Sequence, residues 1–166
     1  MYGINGRGLT FMPNMDWKSL SEKSKQKFGA YGEYYAKMEF ASYGFNVFTS
    51  EVDDHGIDFV VKGDKGFYEI QVKSIQSTSG YVFLRKKHFD INDKDLYLCL
   101  LVFGQETLPD LYLIAAEEWN NENGLLRNRD YVKPEHKSKP EWGINISKKN
   151  MPLLVKYKFD ELIKLM

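Results

Sequence analysis

A mixed α/β fold, with a central mixed sheet flanked by helices in one domain, is what the sequence predicts, and three stretches carry that prediction. Residues 18–43 read as a helix that closes on Gly44. Residues 56–74 alternate apolar and polar side chains on either side of a glycine-bounded turn. Leu96-Tyr97-Leu98-Cys99-Leu100-Leu101-Val102-Phe103 is an unbroken apolar run, the pattern of a strand buried on both faces and central to its sheet.

In chain order, the first fifteen residues hold three glycines and a proline and read as an irregular arm. The helix follows, capped by Gly44, and leads into a strand at 45–49. Strands at 56–62 and 66–74 form a hairpin, and a strand at 80–85 runs into a short helical turn near 86–90. After the central strand at 95–103 comes another at 110–115, and Ala115-Ala116-Glu117-Glu118-Trp119 begins a short helix. From Asn120 to Trp142 the chain is polar and turn-rich. Gly143-Ile144-Asn145-Ile146 reads as a short edge strand and Phe159 to Leu165 as a short helix, so 120–166 forms a C-terminal extension of a single domain spanning 1–166.

The chain has 166 residues, 43% of them hydrophobic, enough for one substantial core, with no repeat or long linker to divide it. No run of 18 apolar residues and no signal-peptide pattern occurs, so a soluble, cytoplasmic protein without a membrane partner is expected. The single cysteine, Cys99, agrees with a reducing compartment and reads as core filling. One cysteine, and three histidines without ligand spacing, argue against zinc. Lysines and arginines number 23 against 23 acidic residues, which removes any general attraction to a polyanion. Local patches must supply it: Arg85-Lys86-Lys87-His88 is one, and Lys133 to Lys139 reads rather as a solvated loop. Tyr31, Tyr34, Tyr35 and Tyr43 suit stacking on bases, yet their helical spacing favours packing against a sheet.

The hairpin fixes the geometry of a candidate site. Ile57, Phe59 and Val61 alternate with Asp58, Val60 and Lys62, and Tyr68, Ile70 and Val72 with Glu69, Gln71 and Lys73. Whether the Gly63-Asp64-Lys65-Gly66 connection has two loop residues or four, the numbers of paired positions sum to 129 in either case, so Asp58 faces Gln71. Opposed residues have Cβ atoms about 4.5 to 5.5 Å apart, and the diagonal neighbours Glu69 and Lys73 lie roughly 7 to 8 Å away. Carboxylate, amide and ammonium thus converge on one patch, an arrangement able to hold a divalent cation against a phosphodiester. The competing reading is the solvated outer face of an amphipathic hairpin. Glu33 has two readings as well: a surface carboxylate paired with Lys37 one turn on, or a group turned toward that cation site. The loop Glu51-Val52-Asp53-Asp54-His55 is a further source of carboxylates.

Taken together, Gly29-x3-Glu33, Phe40, Gly44, Gly56-Ile57-Asp58 and Glu69-Ile70-Gln71-Val72-Lys73-Ser74 resemble the PD-(D/E)xK nuclease superfamily, of restriction-endonuclease-like fold. The likeness is strongest to small stand-alone members whose last motif reads Gln-x-Lys, and it covers roughly residues 25–115. It implies a metal-dependent endonuclease acting on DNA, with Mg²⁺ or Mn²⁺ as cofactor and a homodimer or a protein partner within the family's habits. It implies Asp58 as a metal ligand, Gln71 in the place usually held by Asp or Glu, Lys73 as the catalytic lysine and Glu33 as the accessory helix carboxylate. The Val72 carbonyl becomes a further ligand, and Ser74, Arg85, Lys86 and Lys87 become nucleic-acid contacts.

The chemistry asks for these residue types. Hydrolysis of a phosphodiester needs a nucleophilic water near neutral pH and a counter to the extra charge on the phosphorus oxygens, and a divalent metal supplies both. A neutral amide at Gln71 coordinates a hard cation but adds no charge, so metal affinity is expected to be weaker than with a second carboxylate. Two alternatives stand beside the DNA nuclease: a catalytically silent member of the fold that binds nucleic acid or a protein partner, and an enzyme acting on RNA.

Overall fold

A computed structural model describes residues 17–49, 56–76, 80–104, 108–133, 135 and 137–166. The N-terminal arm at 1–15 and the acidic loop at 51–55 lie outside the described residues. The expected helix is two helices, α1 (Trp17–Lys23) and α2 (Lys25–Ser42), because Ser24 interrupts it as an N-cap, its Oγ accepting from the Lys27 N–H at 3.2 Å. α2 ends where Gly44 takes φ +88°, the left-handed conformation of a helix-terminating glycine.

Five strands build the main sheet in the order β1 (Asn46–Phe48), β2 (Phe59–Lys62), β3 (Phe67–Ile75), β5 (Leu96–Val102), β6 (Asp110–Ala115). β3 and β5 are parallel and the other pairs antiparallel, so the sheet is mixed. Phe59 pairs with Ile70 and Lys62 with Phe67, the register set by a four-residue turn in which the Gly63 N–H donates to the Gly66 carbonyl at 2.9 Å.

Alternation along β3 and β5 sorts two cores. Tyr68, Ile70, Val72, Cys99 and Leu101 pack with Phe28, Tyr35, Ala36 and Phe40 of α2 on one face. Leu96, Leu98, Leu100 and Val102 face the other way, as expected of an interior strand buried on both sides. Burial pushes the Cys99 thiol pKa upward, so it stays a neutral core group.

The second face is covered by a separate antiparallel sheet, in which β8 (Glu141–Ile146) runs between β4 (Gly80–Arg85) and β7 (Leu126–Arg129). This corrects two expectations: the strand at 80–85 leaves the main sheet, and the strand containing Ile144 is the middle one of three rather than an edge. Val82, Leu84, Leu126, Ile144 and Ile146 point inward, with Trp119 and Phe89 filling the corner. Short helices α3 (Met151–Val155) and α4 (Phe159–Leu162) follow, and Phe159 packs edge-on against Phe40.

Candidate active site at the edge of β3

The site is a notch made where β2 leaves β3. Pairing stops at Phe59 and Ile70, and the preceding chain passes through Gly56 at φ +75°. Asp58 keeps one backbone contact, its N–H donating to the Ile70 carbonyl at 2.9 Å. Past Ile70 the β2-side edge of β3 has no strand partner from β2, and the Val72 N–H donates instead to Asp58 Oδ2 at 2.5 Å. Such a charge-assisted bond fixes the carboxylate within the plane of the sheet. Because the N–H and C=O of one residue in an extended strand point to the same side, the Val72 carbonyl opens on the same notch. Asp58 therefore reaches Val72 rather than standing square to Gln71.

Gln71 and Lys73 leave β3 on the face opposite α2. Gln71 is 7% exposed, and its Oε1 makes no hydrogen bond among the described residues. Buried side-chain acceptors are nearly always satisfied, so an unpaired one marks either a cost or a ligand position. Lys73 is half-buried and likewise has no hydrogen bond or ion pair among the described residues.

Glu33 is placed by its helix. Tyr31 packs its ring 5.9 Å from Phe103, just past the end of β5, and Lys37 holds its ammonium 5.6 Å from the Phe59 ring of β2, so these residues mark opposite flanks of α2. Glu33 lies one turn before Lys37 on the β2 flank. Lengthwise it follows Gly32, where an added Cβ would stand 1.9 Å from Ser74 Oγ. The half-buried Glu33 is thus level with the end of β3, on the α2 side of the sheet. Of the two readings of Glu33, the pair with Lys37 does not form; Lys37 sits over the Tyr34 and Phe59 rings instead.

The nucleic-acid contacts implied by the resemblance divide. Ser74 turns to the α2 side of β3, where its Oγ is buried against Gly32 without a hydrogen-bond partner among the described residues. The Arg85 guanidinium bonds the Lys139 carbonyl at 3.1 Å and Glu141 at 3.4 Å. The Lys86 ammonium is held by Asn128, by Asp130 at 2.5 Å and by the Trp142 ring at 3.9 Å. Lys87 alone of the three is exposed and without such a partner among the described residues.

His88, which the sequence offered only as the end of the basic patch, borders the notch. A Cβ added at Gly56 would lie 2.9 Å from His88 Cβ and 3.3 Å from Gln71 Nε2, so imidazole and amide border the same glycine. Tertiary approach brings them together, and no spacing along the chain encodes it. Among the described residues, no three His, Cys, Asp or Glu side chains cluster closely enough to hold a metal ion, so any cation here relies on amide and carbonyl oxygens as well.

No family model and no curated protein sequence matches this chain. Its architecture is nonetheless similar to solved structures. One is Hjc, a Holliday junction resolvase of the archaeal hyperthermophile Archaeoglobus fulgidus, with TM-score 0.50 and 12% identity over 82% of this chain and 95% of that one. Another is the bacterial homing endonuclease I-Ssp6803I, with TM-score 0.52 and 14% identity over 86% of this chain and 91% of that one. Identities this low speak to the fold. With its mixed five-stranded sheet and flanking helices, the chain has the restriction-endonuclease-like fold.

Proposed function

We propose that this protein is a metal-dependent endonuclease that hydrolyses phosphodiester bonds in DNA. The observation that carries the reading is Gln71, a buried amide oxygen with no partner among the described residues, one residue before the Val72 N–H that holds the Asp58 carboxylate and on the same face as a lysine equally without one. An all-oxygen donor set suits a hard cation, and Asp58, Gln71, the Val72 carbonyl and Glu33 would hold Mg²⁺ or Mn²⁺. Such an ion, when bound, supplies Lewis-acid stabilisation and a water of lowered pKa. The chain's own contributions are separate from it. Asp58 is pinned by the Val72 N–H and cannot swing away from the edge of β3. Lys73 offers its positive charge to a phosphate oxygen, and exposed Lys87 adds a contact outside the notch.

Isothermal titration with Mg²⁺ and Mn²⁺, wild type against Asp58→Asn, tests this directly. Wild type should bind metal and the variant should lose most of that heat; equal binding by both would remove Asp58 from the metal site. The asparagine keeps an oxygen acceptor for the Val72 N–H, so the fold should persist. Incubation with linear, supercoiled and branched DNA, and with RNA, in Mn²⁺ then identifies the substrate.

A second reading rests on the absence, among the described residues, of a three-member cluster of His, Cys, Asp or Glu. With Gln71 in place of an acid, a silent member of the fold that binds nucleic acid or a protein partner fits that low charge. It predicts no metal heat and no cleavage by wild type.

A further inference from the structure

The outer face of the small sheet has a composition that the notch does not explain. With Val82, Leu84, Leu126 and Ile144 turned inward, alternation sends Tyr81, Phe83 and Arg85 of β4, Gly143 of β8, and Arg127 and Arg129 of β7 outward. The register sets Phe83 and Arg127 on either side of Gly143. Position 143 has to be glycine, since a Cβ there would stand 1.9 Å from Tyr81 Oη: the tyrosine ring lies across the middle strand. The Arg129 guanidinium then covers that ring at 4.2 Å, and Arg85 approaches the Phe83 ring at 4.6 Å. Among the described residues that alternation turns outward here, the one carboxylate, Glu141, is 4% exposed and already bonded by Arg85 and by the Tyr131 hydroxyl at 2.8 Å. Arg127 and Arg129 are exposed, as is much of Phe83 at 44%. In a chain of zero net charge, a face that carries three arginines against one buried acid among the described residues concentrates positive charge.

We propose that this face binds a single-stranded nucleic-acid segment, with Arg127 and Arg129 on its phosphates and a base stacked on Phe83. The chemistry is that of a stacking platform: exposed aromatics and guanidinium planes take unpaired bases, and arginines track the backbone. One end of this face approaches the notch, because β4 ends at Arg85 and the next turn brings His88 against Gly56 beside Gln71. The inference rests on the nuclease reading for its biological sense, naming the state of the substrate beside the cut: a strand unpaired next to the scissile duplex.

Binding is measured without cleavage, by fluorescence anisotropy of a labelled oligothymidylate and of a duplex of equal length, with EDTA present. Wild type should prefer the single strand. Arg127→Gln combined with Arg129→Gln should weaken it at least tenfold and reduce the slope of log affinity against log salt by about 1.4, roughly 0.7 for each lost phosphate contact. Phe83→Ala should cost the single strand about tenfold and the duplex nothing, as expected for one stacked base. Both arginines are exposed, so their variants keep the fold even if Phe83→Ala does not. Unchanged single-strand affinity in the double variant, or equal wild-type affinity for the two oligonucleotides, overturns the proposal. If Asp58→Asn leaves metal binding intact while this binding pattern holds, the nuclease reading falls and the single-strand face stands.

Discussion

Lys86 and Lys73 are both half-buried lysines of this fold, and their surroundings could hardly differ more. Lys86 sits at the junction of the two sheets' cover with Asn128, Asp130 and the Trp142 ring around its ammonium. Lys73, at the notch, has no partner among the described residues, and the neighbouring Gln71 Oε1 has none either. Withdrawing an ammonium or an amide oxygen from water costs free energy unless something replaces the lost hydrogen bonds. The molecule meets that cost at Lys86 with its own side chains, leaves it unmet at Gln71 Oε1, and leaves the half-buried Lys73 ammonium to solvent. On the proposed function, the contrast separates a cation that holds structure together from one that meets a phosphate.

The sharpest way to break the contrast is to remove each lysine in turn. Lys73→Ala should lower turnover at least about a hundredfold, the scale seen when one preorganised charge-stabilising group is lost, with no fall in the denaturation midpoint. Lys86→Ala should do the reverse: near-normal turnover per folded molecule and a stability loss of about 1 kcal/mol, since its ion partner Asp130 is itself half exposed and screened. A wild-type rate in Lys73→Ala would remove it from the chemistry.

Gln71→Glu sharpens the comparison from the other side by giving the notch the charge it lacks. Metal affinity should rise about tenfold, because hard-cation sites tune affinity by ligand charge. Without metal, the new carboxyl is buried at a position 7% exposed, which raises its folded pKa above the unfolded value. The sign follows: a raised carboxyl pKa contributes no penalty below the unfolded value and lowers stability as pH climbs toward the folded one. Metal-free Gln71→Glu should therefore melt progressively below wild type as pH rises from about 4 to 7, and saturating Mg²⁺ should restore it. A constant difference across that range would place position 71 in water.

The notch was legible in the sequence because its parts are local. A four-residue turn and strict alternation were enough to give the β2–β3 register. What alternation missed was the departure of β2: Gly56 turns the chain, the Asp58 N–H bonds Ile70, and its carboxylate takes the Val72 N–H. The small sheet was far less legible. β7 reads Leu126-Arg127-Asn128-Arg129 with a single buried residue, and β8 hides Glu141 under Arg85 and Tyr131, so neither carries a clean apolar period. Their pairing depends on β4, some sixty residues before the end of β8, which no local pattern encodes. The break at Ser24 was missed because Trp17 packs against Phe28 and Phe103, and that tertiary contact holds α1 as a helix of its own.

The smallest effect expected is at Lys87, and it tests whether the basic turn after β4 works as three charges or as one. Arg85 and Lys86 already have Glu141 and Asp130 as partners, so a phosphate reaching either must displace a carboxylate. Lys87 is exposed and makes no such pair among the described residues, so it can meet a phosphate at no exchange cost. Lys87→Ala should weaken duplex binding only a few-fold at moderate salt while reducing the salt slope by about 0.9, the contribution of one released counterion. Lys86→Ala should leave that slope where it was. Equal slopes in wild type and Lys87→Ala would mean that the turn contributes no phosphate contact, leaving Lys73 as the cation that meets the substrate at the notch.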